Sequence, residues 1–552
     1  MKTLKALFSV AIALCVATSI SAQPNYDYSR LQREKLGRGV VAVRENPSEV
    51  ALSWRYLSSD PIQTTFNIYR NGQKIAEVPA STGTFYRDNY PTDSEACYTV
   101  KAVVDGVEQE QLAGQYTLPA NAPIGYIDIP LQKPADGVTP AGDSYSYGAN
   151  DASIGDVDGD GEYEIILKWN PSNAHDNAHD GYTGNVLFDC YRLTGELLWR
   201  IDLGHNVRAG AHYTQFMVFD LDGDNRAEVV MKTSDGTVDG TGKVIGDASA
   251  DYREKGFTSA EFPGRTPRNQ GRILTGNEYL TVFNGLTGAA MKTIDYAPTR
   301  GNLADWGDTR ANRSDRFLAC VAYLDGVHPS VVMCRGYYTR TVLAAFDWDG
   351  KELKERWIFD SNTAGNEDYA GQGNHNLRVG DVDGDGCDEI IYGSCAIDHN
   401  GKGLYSTRMG HGFVMEVTGE RMPADVQLCW AFGACDGVER TPADNLIPTA
   451  SCFHNVHSIE GNAFTTYYGA SMRLRVTQGV APLKSELRLA DGHRQSSPLK
   501  LYHSGKKTDA PVIAALTPWQ ASEKCYFSIY QRADLNYYML PKVFEEAAQN
   551  AR

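Results

Sequence analysis

Three stretches of this chain share one acidic design. They are Asp156-Val157-Asp158-Gly159-Asp160 followed by Glu164, Asp220-Leu221-Asp222-Gly223-Asp224 followed by Glu228, and Asp381-Val382-Asp383-Gly384-Asp385 followed by Glu389. In each, the last acid comes eight positions after the first. Oxygens at positions 1, 3 and 5, a backbone carbonyl near 7 and a carboxylate at 9 can wrap one hard cation, with the glycine making the sharp turn. Carboxylates packed this closely without a cation repel one another strongly. One copy would pass for a solvated acidic turn; three in the same context predict bound calcium. Its expected duty is to brace loops, not to do chemistry.

The elements around the loops follow from what flanks them. Ile165-Ile166-Leu167-Lys168-Trp169, Val229-Val230-Met231-Lys232 and Ile390-Ile391-Tyr392-Gly393 read as β-strands, which separates these loops from EF-hands. Three further segments repeat strand, glycine turn, strand: 186–201 through Gly195, 279–294 through Gly288, and 342–359 through Gly350. Such units predict propeller blades, with a large sandwich as the rival. From Tyr28 to Leu118 the pattern is short alternating strands with turns at Arg70-Asn71-Gly72 and Asp105-Gly106. Trp54 early and Tyr98 late resemble a fibronectin III or immunoglobulin-like sandwich. The Pro- and Ala-rich stretch 119–134 reads as a linker. The fold class expected is therefore all-β: a small sandwich, then a calcium-rich propeller over 135–412.

Composition limits the partners. A net charge of −17 over 552 residues argues against nucleic acid. Lys2 and Lys5, the apolar run from Ala6 to Ala17 and Ile20-Ser21-Ala22 before Gln23 form a signal peptide over 1–22, and no later run has membrane-spanning length. The mature chain is expected to be secreted or periplasmic. Of eleven cysteines, Cys15 lies in the leader, and Cys190, Cys320 and Cys334 sit in apolar runs as core fillers.

Longer motifs carry a resemblance. Tyr147-Gly148-Ala149-Asn150-Asp151-Ala152-Ser153-Ile154-Gly155-Asp156, Leu167-Lys168-Trp169-Asn170-Pro171-Ser172-Asn173 and Asp180-Gly181-Tyr182-Thr183-Gly184 begin it. The stretch 208–216, Gly336-Tyr337-Tyr338-Thr339-Arg340, Gly373-Asn374-His375-Asn376-Leu377 and 404–412 complete it. From about residue 30 to 412 the chain resembles the rhamnogalacturonan lyases of polysaccharide lyase family 11. The resemblance implies an eight-bladed propeller and action on the pectic polysaccharide rhamnogalacturonan I, whose backbone alternates rhamnose and galacturonate. It implies β-elimination, in which calcium neutralises the galacturonate carboxylate, a base takes the C5 proton and the bond at O4 breaks. Asp151, His375 and His411 match positions around the family's active-site metal, and Asn150 and Asn170 match sugar-contacting positions. Each His also reads as a structural hydrogen-bonding residue, because histidine is an unusual calcium ligand. Arg208, His212 and Arg340 are further cleft candidates, with hydrogen bonding between blades as the alternative.

The resemblance stops after His411-Gly412, where Phe413 stands in place of an expected Asp. Lys484, Arg488 and Arg494 have no matching context for a catalytic base. The region 413–552 is read as a diverged module or a shifted reading frame, with the sudden change favouring the shift. The leading expectation is a lyase of doubtful activity. Its rivals are a calcium-dependent glycan-binding propeller and an integrin-like adhesion module.

Overall fold

The structure is a computed structural model. It describes residues 30–411 apart from short gaps at 31, 33–34, 55–56, 58–59, 62, 80–84, 91–93, 125–126, 211, 259–262, 374–376, 381–384, 407 and 409, and past 411 it describes only the backbone of a few strands. The expected signal peptide therefore lies outside the described residues. So do His375, Asp381, Asp383 and Phe413. Among the described residues only 3₁₀ turns interrupt the strands, and no helix is long and apolar enough to cross a membrane.

Residues 41–118 form two antiparallel sheets facing each other. One joins Val41–Asn46, Glu49–Ser53 and Phe85–Asn89; the other joins Thr65–Arg70, Gln73–Pro79, Ala96–Val104, Val107–Glu108 and Gly114–Leu118. Alternation along Ala96–Val104 puts Ala96, Tyr98, Val100 and Ala102 inside, where they meet Trp54 and Phe66. The turn at Asn71-Gly72 has positive φ at both residues, 50° and 78°, as a two-residue hairpin requires. The stretch expected to be a plain linker contains a strand, Ile127–Pro130.

Four antiparallel sheets follow, each with its strands side by side in chain order. The first holds β1 (Tyr147–Gly155), β2 (Glu164–Pro171), β3 (Leu187–Tyr191) and β4 (Leu197–Asp202), to which the short strands Thr237–Val238 and Val244–Ile245 are added. The second holds β5 (Phe216–Phe219), β6 (Glu228–Thr233), β7 (Tyr279–Asn284) and β8 (Ala290–Asp295). The third holds β9 (Phe317–Ala322), β10 (Ser330–Arg335), β11 (Val342–Trp348) and β12 (Leu353–Asp360). The fourth holds β13 (Arg378–Gly380), β14 (Glu389–Ile391), β15 (Cys395–Ile397) and β16 (Gly403–Ser406).

Burial falls along each sheet. Every residue of β6, β9 and β10 is buried, whereas β8 is half open and β12 is mostly exposed. Strands covered on both faces read as continuous apolar runs, which is why Val229-Val230-Met231 and Val331-Val332-Met333 show no alternation. Cys190, Cys320, Cys334 and Cys395 are buried free thiols, as core fillers should be.

One device joins neighbouring sheets. The outer hairpin of each sheet has a β-bulge at the same register, and the residue directly after it in the chain is Trp199, Lys292, Trp357 or Tyr405. Trp199 donates its indole N–H to Gly285 O of the second sheet at 2.6 Å. Lys292 pairs with Glu352 of the third at 2.6 Å, and Trp357 donates to His399 O of the fourth at 2.8 Å.

Candidate functional site

The acidic loops join the first two strands of three of the four sheets, as their sequence context required. In the first, Asp156 accepts from the N–H groups of Gly159 and Gly161, Asp158 from Asp160, and Glu164 from Val157. The second repeats this contact for contact: Asp220 with Gly223 and Asn225, Asp222 with Asp224, and Glu228 with Leu221. Gly159 and Gly223 both have φ near +80°, where a side chain would strain the turn. Ligand atoms of Asp156, Asp158 and Glu164 lie within 4.8 Å of one another, as do those of Asp220, Asp222 and Glu228. That is the span of oxygens around one calcium ion. Asp160 and Asp224 stand outside these triads and accept from the N–H groups of Glu162 and Arg226.

The electrostatics fit a cation. Burial, together with the charges of Asp158 and Asp160, pushes Glu164 up to about 8. Burial and the charges of Asp222, Asp220 and Asp224 push Glu228 up to about 9. A divalent ion among these oxygens would remove the repulsion that raises both. The first loop is partly neutralised by the protein itself, because Arg192 reaches Asp158 at 2.7 Å and Glu164 at 3.6 Å. In the second loop the residue paired across the strands with Glu228 is the neutral Asn284. In the fourth sheet Asp385 and Glu389 meet His399 and Asp398, and the His399 Nδ1 lies 2.7 Å from Asp398 and 3.2 Å from Asp385.

The third sheet has no acidic loop. Its β9–β10 turn keeps Asp325 and Gly326 but places Tyr323, Val327 and Ser330 where acids stand elsewhere. Arg356 supplies the positive charge instead, 3.0 Å from both carboxylate oxygens of Asp347 and 3.5 Å from Asp325. Asp347 in turn pairs with Ser330 across the strands and accepts its hydroxyl at 2.7 Å.

A β-bulge positions the expected sugar contacts. Ala149 pairs with Trp169 and Ala152 with Leu167, so Asn150 and Asp151 together oppose the single residue Lys168. Bulges of this kind re-aim side chains beside functional sites. Asn150 is 3% exposed, and its carboxamide oxygen has no donor among the described residues. The Asn170 oxygen, on the paired strand, has none either. An unmet buried acceptor costs about 1–3 kcal/mol, a cost retained where a ligand meets it. The backbone of Asp151 is described but its side chain is not, and His375 lies outside the described residues, so of the trio expected around the metal only His411 has a described side chain.

His411 is described fully. Its Nδ1 lies 2.6 Å from Gly373 O, so Nδ1 carries the proton and Nε2 the lone pair. The ring stacks on Tyr337 (5.6 Å, 13° between planes) and lies 4.4 Å from the Tyr338 ring. Burial, with the charges of Arg316 and Arg313, holds it below the usual histidine range, in the neutral form a metal ligand needs. His212 joins the same cluster: Nδ1 is 3.2 Å from the Tyr337 hydroxyl, Nε2 is 3.6 Å from Asp176, and Asp176 faces Arg316. Tyr337 is fully buried, so this chain of groups positions His411 and offers no proton to a bound sugar. Arg208 is occupied by Tyr213 and the carbonyls of His179 and Gly181, and Arg340 by Asp360 and the face of Trp306. Both hold the scaffold together. Sequence reasoning missed Asp176, Arg313, Arg316 and the role of Tyr338; the spacing Arg310-x-x-Arg313-x-x-Arg316 was the available signal.

Comparison with known proteins extends this geometry. Residues 126–426 match the C-terminal domain of rhamnogalacturonan lyase family 11, and 31–117 match the β-sheet domain of rhamnogalacturonan I lyases. Residues 402–548 match a domain of unknown function, DUF4450. The chain is 56% identical over 386 residues to rhamnogalacturonan exolyase YesX of Bacillus subtilis strain 168, covering 70% of this chain and 60% of that protein. It is 52% identical over 417 residues to rhamnogalacturonan endolyase YesW of the same organism, covering 75% and 63%. The solved structure of the Bacillus licheniformis family 11 rhamnogalacturonan lyase superposes with a TM-score of 0.67 at 53% identity, covering 74% of this chain and 66% of that one. The chain thus spans about 60% of the length of the curated relatives it matches. It belongs to the rhamnogalacturonan lyases of polysaccharide lyase family 11.

Proposed function

We propose that this protein is an exported, calcium-dependent lyase of rhamnogalacturonan I, acting by β-elimination at galacturonate. The observation that carries the reading is the β1–β2 hairpin. There a bulge sets Asn150 and Asp151 beside Asn170, with two carboxamide oxygens that no donor of the described protein meets. Hydroxyl groups of a sugar are the donors such oxygens suit. Calcium, where bound, neutralises the uronate carboxylate and so makes the C5 proton removable. The chain's own residues orient: Gly373 fixes the His411 tautomer, and Tyr337 and Tyr338 hold its ring.

Calcium loops and a ring of sheets belong to the same reading. Three successive sheets are each joined to the next by a contact at one register, a repeated arrangement that supports a propeller. The two oxygen triads support structural calcium. An excess of acid over base would repel an acidic polymer unless bound cations offset it. The family match of 402–548 supports the module explanation of the C-terminal region over the shifted frame.

A second reading rests on where the lyase-family match ends. It stops at residue 426, and the basic residues expected beyond it have no matching context, so the chain would bind the polymer without cleaving it. Ultraviolet absorbance of the unsaturated uronide decides: rhamnogalacturonan I with the full chain should give a calcium-dependent rise that chelator abolishes. Saturable binding with no rise overturns the lyase reading and leaves the binder.

A further inference from the structure

The protein is acidic overall, yet one corner of the site is positive. Arg310, Arg313 and Arg316 recur at every third residue ahead of β9. Arg310 is spent on Asp180, 2.6 Å from Oδ2, and on Asn269. Arg316 is spent on Asn312 and, at 3.4 Å, Asp176. Arg313 differs. Its backbone is fixed by an N–H bond to Asp308 at 2.6 Å, but no carboxylate or carbonyl among the described residues accepts from its guanidinium. That group lies over the Tyr338 ring, 4.4 Å from its centre, and the same ring lies 4.4 Å from His411.

A half-buried guanidinium with an aromatic neighbour and no acidic partner is an open half of an ion pair. Its planar fork matches a carboxylate in two parallel bonds, a geometry lysine lacks. The ring that carries it also packs against Arg316, Tyr337 and His411, so the guanidinium is held in place beside the histidine. In an alternating polymer the uronate undergoing elimination has its charge met by calcium, while the uronates on either side of it remain charged. We infer that Arg313 is a specificity-determining residue that binds a neighbouring galacturonate carboxylate of the polymer, with Tyr338 as the support that holds its guanidinium. This rests on the substrate reading above.

The test is stopped-flow fluorescence titration of the full chain with calcium present, recording the binding phase ahead of turnover. The ligands are a backbone oligosaccharide of the rhamnose–galacturonate repeat and its carboxyl-reduced counterpart. Wild type should prefer the native oligosaccharide by about tenfold. Arg313→Gln should lose most of that preference, keeping only the part owed to the uronate that faces calcium, and Arg313→Lys should lie between the two, with melting temperatures unchanged. Arg313→Gln retaining the full preference, or wild type showing none, overturns the inference alone. Wild type binding neither oligosaccharide overturns the substrate reading itself, and the inference with it.

Discussion

Trp199, on the outer strand of the first sheet, donates its indole N–H to the carbonyl of Gly285 in the second at 2.6 Å. Trp357 repeats the bond to His399 two sheets later. Replacing Trp199 with Phe keeps an aromatic ring but leaves a buried carbonyl unmet, at a cost of about 1–3 kcal/mol. The expected outcome is a lower denaturant midpoint with an unchanged slope. Trp357→Phe should add to it independently, since the two sites share no partner.

Chelation should lower the melting temperature, because the carboxylates of both triads then face one another alone. The loops should respond unequally. Arg192 offsets charge in the first, whereas the second has only Asn284 beside Glu228. Asp220→Ala should therefore remove more of the calcium-induced rise in melting temperature than Asp156→Ala. Arg192→Gln should tighten calcium binding in calorimetry; weaker binding would show that the arginine supports the site instead.

Glu278 anchors an ion cluster with three cationic partners among the described residues. It lies 2.9 Å from Arg335, 3.0 Å from Lys232 and 2.8 Å from Arg300. Burial alone would raise its carboxyl, but the charges of Arg335, Lys232 and Arg300 outweigh burial and hold it well below the usual range. A depressed folded-state value stabilises the fold above the unfolded value of about 4.3, and that contribution fades as pH falls further. Glu278→Gln should cost about 3–5 kcal/mol at neutral pH and flatten the loss of stability in acid. Unfolding free energy measured from pH 7 down to pH 3 checks both signs.

Asn150 should separate stability from function. Its carboxamide oxygen has no donor among the described residues, so Asn150→Ala should change the melting temperature little while weakening polymer binding about tenfold or more. A large drop in melting temperature with binding intact would assign the residue to the scaffold.

The acidic loops were legible because their carboxylates lie within nine consecutive residues. The sheets were legible too, since Gly195, Gly288 and Gly350 mark hairpins between recognisable strands. Arg192 and Arg356 were not, because their partners come from another strand and the pairing depends on register. The bulge at Asn150 and Asp151 is equally silent in sequence: one extra residue leaves no compositional mark. Tyr337 and Tyr338 show in sequence only as part of a motif, and their packing on His411 arises from segments far apart in the chain.

The β9–β10 turn carries an engineering lesson. Within one molecule stand both an acidic-triad edition and an arginine-paired edition of the same hairpin. Copying the Ser330, Asp347 and Arg356 arrangement into the β5–β6 hairpin, at positions 228, 284 and the matching site on β8, offers a route to a variant whose hairpin charges stay paired in detergents and sequestrants.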